Sequence, residues 1–254
     1  MNSALTSLVR GELLNSEGVR RLAPVRRFAS LLTSETAPEC LYFLDSGFVK
    51  IVRRGEDAKE VIVSIIGPGE LFAEHAIQRI SRPFTAEVIQ DGVIFEIPRE
   101  TFLAFCQRHP EVWKMLWEMS VERQLELEQK VSLLCLQDVE YRILYYLAQL
   151  AQPFGPPASD TSEYSIPLSQ SELAALIGAT RETTSTTLNA LSRQGLLKLG
   201  RRMVMVGSKE ALRAAAKARA AKAETSAPSA TPAAQTEPDT QTPSAAAATS
   251  PGSN

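Results

Sequence analysis

Residues 169–187 read SQSELAALIGATRETTSTT, and this stretch decides the fold of the C-terminal part of the chain. The opening SQSE is a capping box, so a helix is predicted to begin there. Gly178 suits the left-handed conformation of a tight turn. Thr180 can cap a second helix, predicted over residues 181–194. Two short helices joined by a glycine turn indicate a helix–turn–helix.

The second helix starts with an unusual run of short hydrogen-bonding side chains. Serine and threonine are mediocre helix formers, so the run does not serve helix stability. Hydroxyls and helix-terminal N–H groups hold phosphate oxygens, arginine donates to guanine, and glutamate accepts from cytosine. The run therefore predicts an exposed face that contacts double-stranded DNA, made of Arg181, Glu182, Thr183, Thr184, Ser185, Thr186 and Thr187.

A basic hairpin is predicted directly after this helix. Residues 196–199 and 203–206 are two short apolar runs, and Arg201 and Arg202 lie at the turn between them. This placement predicts a wing that contacts the DNA backbone; the alternative is a helical hairpin with a surface ribbon.

The C-terminal part of the chain is strongly basic. Residues 169–222 hold ten lysines and arginines against three glutamates, a net charge of +7 in a chain of net charge −2. Such a block indicates a local polyanion-binding surface, although a solvated helix face gives the same charge.

Upstream, residues 40–97 have the pattern of an antiparallel barrel or sandwich. Short β-branched runs alternate with turn residues, and Asp45-Ser46-Gly47 is predicted to be one of the turns. Residues 86–89 and 93–97 are predicted as two separate strands. A short amphipathic helix is predicted over Arg99–Arg108.

A long helix without internal glycine or proline is predicted from Pro110 to about Leu136. Its apolar residues form two stripes. We expect one stripe to pack on the barrel of the same chain and the other on a twin helix from a second subunit. A core helix in a monomer is the alternative. One stripe holds Leu116, Leu127 and Leu134, and the other holds Trp113, Trp117, Val121, Val131 and Cys135.

Composition excludes several classes of protein. The chain has 254 residues, of which 44% are hydrophobic and 22% are charged, as in an ordinary soluble protein. No apolar run approaches the roughly 20 residues of a membrane helix, and the N-terminus lacks the features of a secretion signal. Three cysteines favour a reducing cytoplasm over a disulfide framework, and they are too few for a four-cysteine iron–sulfur site.

An enzyme is not expected either. His75 and His109 are the two histidines, and neither a nucleophile–base pair, a metal set nor a Walker-type loop can be assembled from the sequence. Residues 223–254 contain no aliphatic side chain larger than alanine, so this tail is predicted to be disordered.

Three motifs together resemble the Crp/Fnr family of bacterial transcription regulators: Leu41–Lys50, Gly67–Glu74 and Leu176–Thr183. The resemblance covers about residues 25–213. It implies an α+β fold with an N-terminal antiparallel β-roll of the cyclic-nucleotide-binding type, a long dimerisation helix and a C-terminal winged helix–turn–helix. The implied domains are a sensor (1–108), the dimerisation helix (109–136), a DNA-binding domain (137–213), and a helix end with a disordered tail (214–254).

The resemblance also implies how DNA is bound. A homodimer would read a palindromic operator through successive major grooves about 34 Å apart, and RNA polymerase would be a further partner of an activator. Arg181, Glu182 and Ser185 occupy the base-reading positions of the family, while Thr186 stands where many members carry a second arginine. The full set of expected DNA contacts is Ser169, Thr180, Arg181, Glu182, Thr183, Ser185, Thr186, Lys198, Arg201 and Arg202.

The effector site departs from the pattern of cyclic-AMP-responsive members. Those members hold the ribose with Gly-Glu, the phosphate with Arg-Ser and the purine with Thr-Ser; here the pairs are Ala73-Glu74, Phe84-Thr85 and Leu127-Glu128. Without the arginine, a buried phosphate would be an unpaired charge costing about several kcal/mol. The resemblance therefore implies an unidentified effector other than cyclic AMP.

Two alternatives for the effector remain open. Arg82 can replace the missing phosphate cation, which gives a cyclic-nucleotide-binding regulator that uses Glu74 and Arg82. His75 falls where haem-binding gas sensors of the family place an axial histidine, although Ala73 replaces the accompanying cysteine; haem is then the cofactor. No other metal site is expected. The candidate effector residues are Glu74, His75, Arg82, Phe84 and Leu127.

Overall fold

The computed structural model describes residues 3–32, 39–56, 59–81, 83–154 and 163–226. Its helices are α1 (Ser3–Gly11), α2 (Arg99–Arg108), α3 (Glu111–Leu136), α4 (Val139–Phe154), α5 (Gln170–Ile177), α6 (Arg181–Arg193) and α7 (Lys209–Ser226). Its strands are β1 (Arg20–Val25), β2 (Ser30–Leu32), β3 (Cys40–Arg54), β4 (Glu60–Ile66), β5 (Glu70–Phe72), β6 (Thr85–Pro98), β7 (Tyr164–Ile166), β8 (Lys198–Gly200) and β9 (Met203–Val206). The predicted α+β class, with an N-terminal antiparallel sheet, a long helix and a C-terminal helix–turn–helix, is confirmed.

The N-terminal strands form one antiparallel sheet in the order β1-β6-β3-β4, with β2 paired to β6 and β5 paired to β3. Two sequence predictions were wrong here. Asp45-Ser46-Gly47 is not a turn, because β3 runs through it, and the pieces 86–89 and 93–97 belong to the single strand β6. The reason is a set of β-bulges: the β3–β6 register shifts between Leu44 and Val49.

Helices α1 and α2 and the start of α3 share one core with the sheet. Leu5 and Val9 of α1 are buried against Phe102 and Phe105 of α2 and against Val112 of α3. The sequence prediction missed α1, although the spacing of its apolar residues was the available signal. This packing fixes the first turns of α3 on the sheet and sets the direction in which the long helix leaves it.

The C-terminal helices pack directly on the outer face of the sheet. Phe48 of β3 and Phe154 of α4 have ring centroids 3.9 Å apart. The Nζ of Lys50, also on β3, lies 3.4 Å from a carboxylate oxygen of Glu172 on α5. Burial opposes ionisation of Glu172, but hydrogen bonds from Ser169 and the Lys50 charge hold the pKa of Glu172 below its ordinary value. The two parts of the chain therefore share both an apolar contact and a charge pair.

The C-terminal helix is longer than expected. The tail was predicted to be disordered from residue 223, but α7 continues to Ser226, so the prediction was wrong for its first four residues. Residues 227–254 lie outside the described residues. Helix α7 packs along α4, and the guanidinium of Arg219 binds the carboxylate of Asp138 at 2.6 Å. Asp138 also caps α4 by accepting a hydrogen bond from the N–H of Tyr141 at 2.9 Å.

Lys130 is a cation buried where three elements meet. It lies on α3 and is 8% exposed, and its Nζ donates to the carbonyl of Ile62 on β4. The ring of Tyr146 on α4 lies 5.9 Å away. Burial lowers the pKa of the Lys130 ammonium from its ordinary 10.5 to about 8. A lysine in this state carries a desolvation cost that a neutral side chain of similar length does not.

We expect Lys130→Met to raise the free energy of unfolding by about 1–3 kcal/mol at neutral pH. The folded pKa of Lys130 lies below the unfolded value, so the unfolded chain binds more protons between about pH 8 and 10.5. The free energy of unfolding of the wild type therefore rises relative to that of the variant through this window, and the advantage of the variant becomes smaller. Denaturant unfolding of both proteins at matched concentration and several pH values measures the difference. A difference that does not change with pH contradicts the account.

Candidate nucleic-acid interface

The helix–turn–helix is formed by α5 and α6, as predicted. Ser169 Oγ accepts from the N–H of Glu172 at 3.2 Å, and the Glu172 carboxylate accepts from the N–H of Ser169 at 2.9 Å, which completes the capping box. Gly178 ends α5 with φ +65°, and a Cβ on it would lie 2.6 Å from Leu134 Cδ2. Thr180 caps α6 by accepting from the N–H of Thr183 at 3.1 Å. These local contacts fix where α6 begins and how it leaves the turn.

The N-terminal turns of α6 present most of the predicted side chains to solvent. Those of Arg181, Glu182, Thr183 and Thr186 are exposed, and that of Ser185 is half-buried. Thr184 was wrongly placed on this face: it is 0% exposed, and its Oγ1 donates to the carbonyl of Thr180 at 2.8 Å. Two further exposed residues on the same side of α6, Asn189 and Arg193, were not selected from the sequence.

The predicted basic hairpin is also present. Strands β8 and β9 pair antiparallel, and β7 completes a three-stranded sheet in the order β7-β9-β8. Arg201 and Arg202 lie at the turn and are exposed. Lys198 is exposed as well, but its ammonium pairs with the carboxylate of Glu163. The arginines of the wing are therefore the stronger candidates for phosphate contacts, since they carry no such carboxylate partner in the described residues.

The long helix has a buried side and an exposed apolar side. Val112, Leu116 and Leu133 pack on the chain's own sheet and helices. The predicted stripe of Leu116, Leu127 and Leu134 was wrong, because Leu127 and Leu134 are 45% and 41% exposed. They join the other stripe on the open side. That side carries Trp113, Trp117, Val121, Leu127, Val131 and Leu134, each between 38% and 71% exposed.

The candidate effector residues are brought together only in part. Glu74 and His75 are half-buried in a short 3₁₀ helix, Glu74–Gln78, and Phe84 is half-buried further along. Arg123 of α3 pairs with the Glu74 carboxylate and also donates to the carbonyl of Leu71. Leu127 lies one turn further along α3, on the open side. Arg82 lies outside the described residues.

A small cavity lies beside the Arg123–Glu74 pair. Its volume is about 90 Å³, well below the roughly 300 Å³ at which pockets for small ligands begin. It therefore has room for a few water molecules. The lining residues are Leu5, Thr6, Gly69, Glu70, Leu71, Met119, Glu122, Arg123 and Glu126.

Within the residues that the structure describes, no group of three or more histidine, cysteine, aspartate or glutamate side chains is arranged to hold a metal ion. Likewise, none of the helices among those residues is both long and apolar enough to cross a bilayer.

Comparison with known proteins shows what this architecture is. A cyclic nucleotide-binding domain model matches residues 25–109, and a Crp-like helix-turn-helix domain model matches residues 141–215. The CRP-like cAMP-activated global transcriptional regulator of Mycobacterium tuberculosis is 30% identical over 173 residues, 68% of this chain and 77% of that protein. The chain belongs to the Crp/Fnr family of transcription regulators. Members of this family are DNA-binding regulators and not enzymes.

Other Crp/Fnr regulators show the same similarity. The cyclic AMP receptor protein of Thermus thermophilus is 32% identical over 164 residues, 64% of this chain and 72% of that protein. Among solved structures, the c-di-GMP-responsive global regulator CLP of Xanthomonas campestris superposes with a TM-score of 0.64 and 25% identity, covering 80% of this chain and 99% of that one. The predicted Crp/Fnr resemblance is therefore confirmed for the sensor-type domain and the helix–turn–helix alike.

Proposed function

We propose that this Crp/Fnr regulator binds a palindromic DNA operator as a homodimer, with one copy of α6 in each of two successive major grooves about 34 Å apart. The observation that carries the proposal is the start of α6. Polar side chains of Arg181, Glu182, Thr183 and Thr186 are exposed there, on a capped helix beside a basic wing.

The proposed contacts divide into two kinds. Arg181 donates to guanine, Glu182 accepts from cytosine N4, and Ser185 and Thr186 reach neighbouring base edges. The remaining groups hold phosphate oxygens and set the position of α6 on the duplex. They are Ser169, Thr180, Thr183, Lys198, Arg201 and Arg202. Ser169 and Lys198 are bound to acidic groups within the chain, so we expect them to contribute less than the wing arginines.

A second copy of this chain is the proposed occupant of the open side of α3. Trp113, Trp117, Leu127, Val131 and Leu134 recur at alternating spacings of three and four residues once Ser120 and Gln124 are included, which is the heptad of a two-stranded coiled coil. The opposite side of α3 already packs on its own sheet. Crp-like regulators typically act as dimers, which supports the same arrangement.

We assign a function to each part of the chain from these contacts. Residues 1–108 form the sensor domain, 109–136 the dimerisation helix and 137–213 the DNA-binding domain, with 214–254 as an appendage. Because the protein acts on chromosomal DNA, we place it in the cytoplasm, and RNA polymerase is the further partner of this protein if it activates transcription.

Binding to duplex DNA of mixed sequence is the direct test of the function. We expect a complex of two chains per duplex whose affinity falls as salt rises, because lysines and arginines displace counterions from the phosphates. Fluorescence anisotropy at several salt concentrations, with sedimentation of the complex, measures both properties. No binding at micromolar protein and about 50 mM salt contradicts the proposal.

Cyclic AMP is expected to leave the affinity for DNA unchanged within about twofold. The side chain at the phosphate position is Phe84, and the acid at the ribose position, Glu74, is paired with Arg123. The same anisotropy titration with and without the nucleotide measures the effect. An affinity for DNA that increases about tenfold or more with the nucleotide would reassign the effector to a cyclic nucleotide held by Glu74 and Arg82.

Haem is tested separately. A Soret band in the absorption spectrum of the purified protein would assign the effector to haem at His75.

A further inference from the structure

The sensor domain touches the wing at one exposed aromatic side chain. Phe28 lies in the loop between β1 and β2 and is 55% exposed. The guanidinium carbon of Arg202, at the tip of the wing, lies 4.7 Å from the centroid of its ring, and that of Arg27 lies 5.0 Å away. The ring of Phe28 is therefore in contact with two arginines, one from each part of the chain.

The loop that carries Phe28 is held from both sides. The N–H of Phe28 donates to the carbonyl of Val88 on β6 at 2.9 Å. Arg27 Nη2 donates to the carbonyl of Pro167 at 3.0 Å and lies 3.4 Å from a carboxylate oxygen of Glu172. These contacts hold the ring in a fixed place relative to both the sheet and the helix–turn–helix.

The backbone of Phe28 is strained. Its φ is +72°, in the left-handed region that bulky residues rarely adopt. An exposed phenylalanine gains little from burial there, so its own packing does not account for the strain. The turn itself does, because the N–H of Ala29 donates to the carbonyl of Arg26 at 3.1 Å and so places Phe28 at the third position of a β-turn.

The contact with Phe28 leaves Arg202 able to bind DNA. A guanidinium has five N–H donors, more than contact with one aromatic ring can engage. Within the described residues no hydrogen bond or ion pair engages the Arg202 guanidinium. Phe28 thus restricts the motion of Arg202 without occupying its donors, and this lowers the entropy lost when a phosphate is bound.

We propose that Phe28 is a positioning residue for DNA binding, which holds the wing arginine Arg202 with its donors free for a DNA phosphate. This inference rests on the proposed function. It makes the sensor domain a direct contributor to the DNA-binding surface, in addition to any signal that passes through the long helix.

The test is a double-mutant cycle on DNA affinity in the full-length protein. We expect Phe28→Leu to weaken binding to duplex DNA about 3–20-fold, because a dimer loses the contact twice. Arg202→Ala should weaken it at least as much and should reduce the slope of log affinity against log salt by about 2 per dimer. In the Arg202→Ala background, Phe28→Leu should change the affinity by less than about twofold.

The controls separate positioning from folding. Phe28→Tyr keeps the ring and should restore wild-type affinity, whereas leucine keeps the apolar bulk and the same backbone strain without the ring. Additive effects of Phe28→Leu and Arg202→Ala overturn the inference, as does tighter binding by Phe28→Leu, which would mean that the ring withholds Arg202 from DNA. A wild-type protein that binds no duplex overturns the proposed function itself. Wild-type binding with an unaffected Phe28→Leu protein overturns the positioning role alone.

Discussion

Arg181→Ala is expected to reduce discrimination between operator and random duplex at least about 30-fold, because a bidentate arginine–guanine contact is worth about 1–3 kcal/mol and a dimer loses two. The Arg181 side chain is exposed at the first turn of α6, so its loss should leave the fold intact. Glu182→Ala is expected to act in the same direction through the lost contact with cytosine. The measurement is the ratio of affinities for the selected operator and for mixed-sequence duplex.

A matched control separates base reading from charge. Arg193→Ala removes the same charge from the exposed side of the other end of α6. We expect it to weaken binding to both duplexes by similar factors and to leave their ratio unchanged. If Arg181→Ala and Glu182→Ala both keep the wild-type ratio, α6 is not the helix that reads the bases.

Trp117→Glu is expected to convert the dimer to a folded monomer and to weaken operator binding at least about 100-fold. Trp117 is 71% exposed in the single chain, so the substitution removes little that holds the chain itself together. In a two-stranded coiled coil the two tryptophans would be buried against each other. Two glutamates at the same place would repel each other and would also lose their hydration. Binding should fall because one helix–turn–helix contacts only one half-site.

Sedimentation equilibrium measures the oligomeric state directly. Gln129→Glu is the control, since it adds the same charge on an exposed part of α3 outside the heptad positions. It should remain dimeric with wild-type affinity. A Trp117→Glu protein that stays dimeric contradicts the proposed interface, and so does a wild-type chain that is monomeric at micromolar concentration.

The helix–turn–helix could be predicted closely because its signals are local. The cap at Ser169, the left-handed glycine at Gly178 and the cap at Thr180 act within three or four residues of themselves. Thr184 was misplaced for a related reason. The hydroxyl of Thr184 donates to the backbone carbonyl one turn earlier, so this polar side chain can be buried. A threonine in the sequence does not show whether its hydroxyl is used in this way.

The strand boundaries depended on contacts that are distant in sequence. Gly47 and Gly92 have the composition of turns, but they lie in the two long strands β3 and β6, where a Cβ on Gly92 would lie 1.9 Å from the carbonyl oxygen of Ser46. Glycine is needed there for close approach of the strands and not for chain reversal. The sequence pattern does not distinguish these two uses.

The contacts between the two parts of the chain were beyond sequence reasoning. Lys50 and Glu172 are separated by more than 100 residues, and the two motifs that contain them, Leu41–Lys50 and the capping box, do not indicate that they pair. The contact of Arg202 with Phe28 and, within the N-terminal part, the pairing of Arg123 with Glu74 also join residues that are far apart in the sequence. Each depends on how the helices dock on the sheet, which periodicity and capping do not specify.

Selection of bound DNA from a random pool tests the central claim most directly. The pool is incubated with the full-length protein, with and without candidate effectors, and the enriched sequences are read. Two copies of α6 held a fixed distance apart predict an imperfect inverted repeat with half-site centres about 10 base pairs apart. No enriched sequence, or an enriched sequence without two-fold symmetry, would contradict it.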